Sequence, residues 1–438
     1  MLRPYPKYKD SGAEWIGKIP EHWEIKRLKY NLGLLTEKTD RRTNPVALEN
    51  IESWSGRFIQ TETVFEGDGV AFERGDILFG KLRPYLAKAY LAETAGEAVG
   101  DFHVMRPTKG VDSGLAQYQI LNREFIAIVD GSTFGAKMPR ASWDFLGNMI
   151  LATPPTSEQK IIAAFLICET AKIDLAIEKQ ERLIALLQEQ RQAMITQAVT
   201  KGLDPSVPMK DSGINWLKKI PKHWEVRRFK DIIDFQEGPG IMAVDFHDEG
   251  VPLLRIGNLS GDSVALEGCN YLDAKKVEQK WSHYRLQQGD LLITSSASMG
   301  NVSEVLEDAV GSIAYTGIIR LRPSTSNLTM DFIRLIVSSA LFSNQIDLLK
   351  SGATIQHFGP THLKEIIVIL PPVREQTEIV KSTSRQHAKF NKMIDLSNRQ
   401  MNLLKERRSA LISAAVTGKI DVRGWKSDQS RNKKSEAA

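Results

Sequence analysis

Two stretches of this chain of 438 residues have nearly the same sequence. Residues 8–29 read YKDSGAEWIGKIPEHWEIKRLK, and residues 209–230 read MKDSGINWLKKIPKHWEVRRFK, at an offset of 201 positions. A second match joins LLQEQRQAMITQAVT at residues 186–200 to LLKERRSALISAAVT at residues 403–417, at an offset of 217 positions. A chain built from two similar halves presents two similar surfaces, so the repeat favours a tandem architecture.

Length and composition narrow the class of protein further. A chain of this length is too long for one ordinary core and indicates two to four domains. Cys168 and Cys269 lie in different halves at non-equivalent positions, which is typical of a reducing cytoplasm rather than of a disulfide framework. We see no signal-peptide pattern and no apolar run of membrane-spanning length. The net charge of +5 is compatible with a polyanionic partner but does not require one.

The chain is predicted to alternate between globular and helical segments. Short β-like runs broken by Gly, Pro and Asp indicate globular α+β domains, and apolar residues at helical spacing indicate a long helix after each one. The predicted segments are a globular domain at 1–151, a helix at 157–200, a second globular domain at 208–370, a second helix at 374–418 and a basic, disordered tail at 425–438.

Landmarks inside the segments also recur. The Gly75-Asp76 pair recurs as Gly289-Asp290, and the Arg106-Pro107 pair recurs as Arg322-Pro323. A Pro-Pro pair followed by Glu-Gln precedes each predicted helix, because proline cannot lie inside a helix but suits its start. These matches extend the repeat over most of the chain.

The two predicted helices need partners. About 44 residues at 1.5 Å each make a rod of about 65 Å, and its apolar stripe is too narrow for a helix buried on all sides. The simplest partner is the other copy, so we expect an antiparallel coiled coil with a pseudo-two-fold axis. Arg191 and Arg408 occupy equivalent places in the stripe. They either extend to solvent beside Glu189 and Glu406, the commoner case, or fix the pairing register or meet a partner protein.

The sequence contains no coherent phosphate-binding loop. Gly75 to Lys81 has the spacing of such a loop, but Leu82 stands where Ser or Thr should meet magnesium, and the intervening residues are strand-like. At an offset of 215 positions, Ser295-Ser296 fall where Gly80-Lys81 would lie in the second copy.

Metal-dependent chemistry is equally weakly supported. Asp10, Glu24 and Lys26 resemble the acids and lysine of a magnesium nuclease, but Arg227 replaces the lysine in the second copy and cannot act as a base. His22 and His223 have no metal-ligand spacing and are interpreted as packing residues beside tryptophans. A binding role is therefore favoured over catalysis.

Basic residues and Gly/Ser/Thr-rich turns supply the candidate binding surface. Such turns let the backbone approach phosphates, while Lys, Arg, Gln, His and Ser side chains reach base edges. The candidate DNA-binding residues are Arg41, Arg42, Lys81, Arg83, Lys137, Arg140, Arg255, Ser295, Ser296, Ser298, Gln356 and His357.

Taken together, these motifs resemble the DNA-specificity subunit of Type I restriction–modification systems. The resemblance rests on the KDSGxxWxxxIPxHWE block, the Gly-Asp strand, the Pro-Pro and Glu-Gln helix start, and the AVT helix end, each present twice and in order. It covers nearly the whole chain.

The resemblance implies a non-catalytic subunit. Each globular segment would read one half of a bipartite DNA target, and the helices would set the gap between the halves. The subunit would bind no cofactor, whereas two methyltransferase subunits would use S-adenosylmethionine, and two restriction subunits would use ATP and Mg²⁺. Residues expected to dock these subunits are Leu187, Arg191, Met194, Leu404, Arg408 and Leu411.

Other functions stay open at this point. One is the recognition subunit of a related system whose methylase and nuclease share one polypeptide. Another is a helical repeat scaffold that never touches DNA. A nuclease that the motif search missed is a third.

Overall fold

The computed structural model describes residues 3–41, 43–62, 67–133, 138–259, 261–295, 302–350 and 358–426. The chain divides into two units, each made of two stretches of sequence. Unit 1 contains Met1–Glu181 and Asn398–Ala438, and unit 2 contains Arg182–Ser397. Both boundaries fall inside the long helices, so each unit holds one globular segment and part of each long helix.

The globular segment of unit 1, the first segment, combines short strands with short helices. Its helices are α1 (Leu28–Asn31), α2 (Ser113–Ile120), α3 (Arg123–Gly131) and α4 (Trp143–Leu146). Its strands are β1 (Tyr8–Asp10), β2 (Lys18–Pro20), β3 (Glu24–Arg27), β4 (Leu32–Leu35), β5 (Lys38–Thr39), β6 (Pro45–Val46), β7 (Gly69–Phe72), β8 (Ile77–Gly80), β9 (Ala89–Leu91), β10 (Gly96–Val99), β11 (Phe102–Pro107) and β12 (Ile150–Thr153).

These strands form two four-stranded sheets and two smaller pairs. The sheets have the orders β4-β11-β8-β9 and β5-β7-β10-β6, and the pairs are β1-β2 and β3-β12. All of these pairings are antiparallel except β6-β10. Strand β8 is buried along its whole length. Because side chains alternate between faces, Ile77 and Phe79 pack with α2 and α3, whereas Leu78 packs on the opposite side with Val104.

The first long helix, α5, follows this segment and runs from Thr156 to Lys201. The second, α11, runs from Val373 to Val416. The ranges predicted from the sequence, 157–200 and 374–418, differ from these bounds by one or two residues. Each helix begins directly after a Pro-Pro pair, because proline ends the preceding strand without breaking the helix.

The globular segment of unit 2, the second segment, has corresponding elements. Its helices are α6 (Phe229–Ile232), α7 (Ala274–Lys276), α8 (Met330–Val337), α9 (Ala340–Lys350) and α10 (Pro360–Leu363). Its strands are β13 (Met209–Asp211), β14 (Lys219–Pro221), β15 (Glu225–Arg228), β16 (Ile233–Glu237), β17 (Val251–Leu254), β18 (Asn270–Leu272), β19 (Leu291–Thr294), β20 (Val302–Glu304), β21 (Ile313–Ala314), β22 (Ile318–Pro323) and β23 (Ile367–Leu370).

The main sheet of the second segment has the order β16-β22-β19-β20, which matches β4-β11-β8-β9 strand for strand. Strand β19 is buried like β8, with Leu291 and Ile293 on one face and Leu292 on the other. The remaining strands form the sheet β18-β17-β21 and the pairs β13-β14 and β15-β23. The fold is therefore mixed α and β, with mainly antiparallel sheets.

No single helix among the described residues is long and apolar enough to cross a membrane. The bent pair α8 and α9 meets the length and composition test only when the two helices are taken together.

The tail predicted at 425–438 begins with a packed residue, since the Trp425 ring lies edge-on to Phe165 at 5.7 Å. Residues 427–438 lie outside the described ranges.

Candidate nucleic-acid interface

The repeated block at the start of each half anchors the start of a long helix. In unit 1, the Glu158 carboxylate in the first turn of α5 is buried. Trp23 Nε1 donates to it over 3.2 Å, His22 Nε2 lies 2.8 Å from it, and the Tyr5 hydroxyl also donates to it. Burial and this carboxylate raise the pKa of Tyr5. The block therefore holds α5 on the first segment.

Unit 2 has the same arrangement in a more exposed form. Glu375 in the first turn of α11 accepts a hydrogen bond from Trp224 Nε1 over 2.8 Å and lies 2.6 Å from His223 Nε2. The interpretation of the two histidines as packing residues was therefore incomplete, because both contact a carboxylate more than a hundred residues away in sequence.

The ends of the long helices pack on the same tryptophans. In unit 1, Gly418 follows α11 with a φ of +72°, and a Cβ there would lie 2.4 Å from Pro20 and 3.1 Å from the Trp23 ring. In unit 2, Gly202 follows α5 and a Cβ there would lie 3.2 Å from Trp224. In each unit, the start of one long helix and the end of the other therefore pack against the same tryptophan, Trp23 in unit 1 and Trp224 in unit 2.

The recurring Gly-Asp and Arg-Pro motifs form an ion pair in each segment. Arg106 donates to buried Asp76 from Nε over 2.9 Å and from Nη2 over 2.8 Å. Arg322 makes the equivalent two-pronged contact with buried Asp290, its Nη2 donating over 2.6 Å. These hydrogen bonds raise the pKa of both arginines. The motifs therefore specify the frame of each segment rather than a ligand site.

The residues considered above for a phosphate-binding loop and for a magnesium nuclease have structural roles. Residues 77–80, inside the would-be phosphate loop, form buried strand β8. Asp10 accepts a hydrogen bond from Gly12 N in a turn, and Glu24 pairs with Lys26 at the surface. Among the described residues, no group of three His, Cys, Asp or Glu side chains is placed to hold a metal ion.

Three of the candidate DNA-binding residues come together on the first segment. Lys81, Arg83 and Arg140 lie on the loop after β8 and on the stretch that precedes α4. Arg83 N donates to Pro139 O and Ala141 N donates to Lys81 O, both over 2.9 Å. We call residues 81–87 the first tip. These backbone bonds fix the first tip against residues 139–141.

Positive charge exceeds negative charge at the first tip. Arg140 makes a two-pronged ion pair with Asp101 at 3.2 and 3.0 Å, and Lys81 Nζ lies 3.7 Å from the same carboxylate. The exposed Arg83 side chain makes no hydrogen bond or ion pair with any residue that the structure describes. Asp101 thus pairs with two of the three cations and leaves Arg83 unpaired among the described residues, an arrangement suited to phosphates or to the acceptor edge of guanine.

Sequence analysis missed two apolar residues at this surface. Tyr85 and Met138 are exposed, and they flank Arg83 along the chain and across the backbone contact with Pro139. The backbone here is also strained: Arg83 has φ +51° and Ala87 φ +47°, a region that residues other than glycine rarely adopt. The exposure of Tyr85 and Met138 and the strained backbone at Arg83 and Ala87 could not be seen in the sequence, because none of these residues belongs to a recognisable motif.

The equivalent place in the second segment has different chemistry. Ser295 N donates to Gly317 O and Phe358 N donates to Ser295 O, which reproduces the contacts of Lys81 with Asp101 and Ala141. The correct offset is therefore 214 positions, and Ser295 is equivalent to Lys81. The prediction that Ser295 contacts DNA is wrong for its side chain, since the residue is 3% exposed. It closes the base of the loop instead.

Arg255 is an exposed cation of the second segment that lies between two aromatic rings. Its guanidinium carbon lies 6.0 Å from the Phe246 ring centre and 5.8 Å from that of Tyr315, and Nη1 donates to Asn270 over 3.4 Å. Two rings that hold one guanidinium limit its rotation, while its remaining N–H groups stay available to a ligand.

The remaining candidates are less informative. Arg41 is exposed beyond β5, on the sheet that does not contain β8. Six candidates lie outside the described residues: Arg42, Lys137, Ser296, Ser298, Gln356 and His357. Ser295 and Phe358, the described residues next to two of these stretches, are joined where Phe358 N donates to Ser295 O over 3.0 Å.

The residues predicted to dock other subunits mostly face inward. Leu187 is 4% exposed, so its assignment as a docking contact is wrong, and Met194 and Leu411 pack against hydrophobic clusters. Leu404 is partly buried. These side chains belong to the apolar stripe through which the helices pack inside their own unit, so they are not available to a partner subunit.

The two arginines of the stripe bond between the long helices. In unit 1, Arg408 on α11 donates from Nε to Asp174 on α5 over 2.7 Å, and its side chain is 11% exposed. In unit 2, Arg191 on α5 donates from Nη1 to Asn391 on α11 over 2.8 Å. The alternative in which these arginines fix pairing is therefore favoured over extension to solvent.

Comparison with known proteins gives a consistent result. Residues 221–405 match the family described as the Type I restriction modification DNA specificity domain. The chain is 21% identical over 425 residues to the Type I restriction enzyme MjaVIII specificity subunit of Methanocaldococcus jannaschii, covering 93% of this chain and 95% of that protein. It is 24% identical over 447 residues to the EcoKI specificity subunit of Escherichia coli K12, covering 94% of this chain and 92% of that protein.

A solved structure shares the fold. It is a chain from work on complex assembly and conformational transition of the type I restriction–modification system, with a TM-score of 0.71, 17% sequence identity, and coverage of 92% of this chain and 99% of that chain. The two chains therefore have the same fold. Residues 221–405 therefore carry a Type I DNA specificity domain, the chain resembles specificity subunits of those systems over more than nine tenths of its length, and the resemblance predicted from its repeated motifs is confirmed.

Proposed function

We propose that this chain is the non-catalytic DNA-recognition subunit of a Type I restriction–modification complex, and that it reads a bipartite target. One observation carries the proposal. The two segments share the same sheet order and the same ion pair of an arginine with a buried aspartate, yet their charged surfaces differ. The partly exposed Lys81 of the first segment is replaced by the buried Ser295 in the second, which instead exposes Arg255 beside two aromatic rings. Similar frames with different surface chemistry suit two domains that read two different half-sites.

Antiparallel pairing of the long helices would place those half-sites. Asn391 is the equivalent of Asp174, and Arg408 is the equivalent of Arg191, both at the offset of 217 positions found in the sequence. The contacts Arg408–Asp174 and Arg191–Asn391 therefore exchange roles between the copies, as a two-fold axis requires. We propose that α5 and α11 form an antiparallel coiled coil that sets the gap between the half-sites.

Exposed leucines of the long helices are better placed to dock partner subunits than the inward-facing residues predicted from the sequence. Leu186 and Leu403 are equivalent and 46% and 63% exposed, respectively. Exposed leucines at matching places on two helices suit two copies of one partner. We propose that they contribute to docking two methyltransferase subunits, which use S-adenosylmethionine. Two restriction subunits would use ATP and Mg²⁺, and the complex would act on foreign DNA in the cytoplasm.

Selection from a pool of random duplexes tests the recognition role. The purified chain is incubated with the pool, retained duplexes are sequenced, and retention is repeated as salt is raised. We expect one bipartite motif with a fixed gap, and retention that falls with salt as counterions compete for phosphate contacts. Absence of both enrichment and salt-dependent retention would favour the scaffold that never touches DNA.

A further inference from the structure

A loop of the first segment connects the first tip to the long helix α11. We call residues 51–58 the Trp54 loop. Trp54 N donates to Ala87 O over 3.1 Å, and Trp54 O accepts a hydrogen bond from Arg408 Nη1 over 3.1 Å. Since Arg408 also bonds to Asp174, a continuous chain of hydrogen bonds runs from α5 through α11 to the end of the first tip. All of these residues lie in unit 1.

The Trp54 loop is built to hold its shape. Its two ends are joined where Ile59 N donates to Asn50 O over 2.7 Å. Inside it, Glu52 accepts hydrogen bonds from Arg57 over 3.0 Å and from Ser55 over 2.5 Å. At Gly56, with φ +67°, a Cβ would lie 2.0 Å from Ala89 O, so only glycine lets the loop pack so closely.

Backbone strain is concentrated along this connection. Trp54 has φ +66° and Ala87 has φ +47°, and both are residues for which this conformation is unfavourable. Such strain persists only where surrounding contacts over-determine the geometry, and it is a common sign of a functional constraint. The N–H of Trp54 contacts the strained Ala87, and its carbonyl contacts the charged Arg408.

In the second segment, no hydrogen bond joins Arg191 to the described residues of the corresponding loop. Its corresponding loop is closed where Ala265 N donates to Asn258 O over 3.0 Å, and it spans six residues, 259–264, where the Trp54 loop spans eight, 51–58. Three residues of the shorter loop, Gly261, Asp262 and Ser263, line a cleft of about 1090 Å³ in unit 2 together with Arg191. Arg191 bonds to Asn391 across the helices, as Arg408 does to Asp174.

We propose that Arg408 is a positioning residue for DNA recognition. Through the Trp54 loop it holds the first tip in a fixed place on the long helices, and so fixes one half-site relative to the gap. The inference rests on the proposed function, because it concerns how the same subunit reads its target. The arginine fork suits this task, since Nε and Nη2 bond to Asp174 while Nη1 is left for Trp54 O.

The sharpest variant is Arg408→Lys. Lysine keeps the charge and the ion pair with Asp174, but its single ammonium cannot reproduce the fork that reaches Trp54 O. Arg191→Lys is the matched control, because it makes the same change at the equivalent position, where no described loop is contacted.

Each variant of the full chain is used to select from the random duplex pool, and thermal unfolding checks that it is folded. We expect Arg408→Lys to select motifs with more than one gap length, because the first tip is held less firmly. It should also bind the duplex selected by the wild-type chain about 10-fold more weakly. The half-site that becomes poorly defined should be the one that Arg83→Ala alters. Arg191→Lys should keep a single gap.

Two results would overturn the inference while leaving the proposed function intact. One is a single unchanged gap with affinity within about 2-fold of wild type for Arg408→Lys, far less than loosening of the tip predicts. The other is equal broadening by Arg191→Lys, which would assign the effect to helix pairing alone. Failure of the wild-type chain to select any motif is a distinct outcome and would overturn the proposed function itself.

Discussion

Single residues decide what each segment offers to a ligand, and they are where sequence analysis was least reliable. Lys81 and Ser295 follow equivalent strands, but an offset wrong by one position first paired Ser295 with Gly80. The matching pairs Gly75-Asp76 and Gly289-Asp290 already differ by 214 positions, and the backbone hydrogen bonds of Lys81 and Ser295 agree with that offset. Tyr85 and Met138 were missed because exposure of a single apolar residue has no sequence signature.

Removal of the exposed cation at the first tip should weaken DNA binding. We expect Arg83→Ala or Lys81→Ala to cost on the order of 1–3 kcal/mol per lost base contact, or to lower the salt slope by about 1 if the contact is to phosphate. Duplex binding measured at several salt concentrations separates the two cases. Arg74→Ala, an exposed arginine beyond the opposite end of β8, is the control. Unchanged affinity and slope in both variants would remove the first tip from the interface.

Acid should destabilise the first segment through His103. Burial lowers the pKa of His103, and its hydrogen bond to Ala141 O over 2.9 Å only partly opposes this effect. Below the ordinary histidine pKa of about 6.5 the unfolded chain binds a proton that the folded chain does not, so stability is full above that pH and is lost as pH falls below it.

Thermal unfolding at pH 7.5 and pH 5.5 measures this loss. His103→Gln should show a smaller fall in melting temperature between the two pH values than the wild type, whereas His283→Gln, at an exposed site, should behave like the wild type. An equal fall in wild type and His103→Gln would show that other groups account for the acid sensitivity.

Elements were predicted with uneven success, for physical reasons. The long helices could be placed within two residues because proline pairs, glycines and helical periodicity act locally. The short strands and their sheet order could not, since pairing joins distant residues and each strand carries little pattern. The Glu-Gln motif was found as a landmark, but its partner Trp23 lies 135 residues from Glu158 in sequence, so its role needed the structure.

The two helix anchors should contribute unequally to stability. Glu158→Ala leaves the buried donors of Tyr5 and Trp23 without an acceptor and removes the partner of the exposed His22, and we expect a loss of about 3 kcal/mol in the free energy of unfolding. Glu375 serves fewer donors and is more exposed, so Glu375→Ala should cost about 1 kcal/mol. Denaturant unfolding of the full chain measures both. Equal losses would contradict the account of Glu158 as a buried anchor.

At the scale of the whole molecule, the account depends on the proposed role of the long helices as a spacer. The repeat in the sequence predicted two similar segments and two helices, and the exchanged contacts Arg408–Asp174 and Arg191–Asn391 support their antiparallel pairing. The target itself could not be predicted, because it depends on side chains at the loop tips rather than on the frame that the repeat encodes.

Lengthening both helices should lengthen the gap in the DNA target. Seven residues inserted after Gln180 in α5 and after the equivalent Ser397 in α11 add about 10.5 Å, or about three base pairs at 3.4 Å each. Selection from the random duplex pool should return both half-sites unchanged with the longer gap. Insertion into one helix alone breaks the pairing register and should abolish the motif. Altered half-sites after the paired insertion would contradict the spacer role.

A map of DNA methylation tests the central claim most directly. The chain is co-expressed with the modification subunit of its system, and the host genome is sequenced for N6-methyladenine. The account predicts methylation at a single bipartite motif with a fixed gap, absent when the chain is omitted and changed in one half only by Arg83→Ala. An intact complex that methylates no motif, or a motif that persists without this chain, would contradict the claim that this chain reads the target.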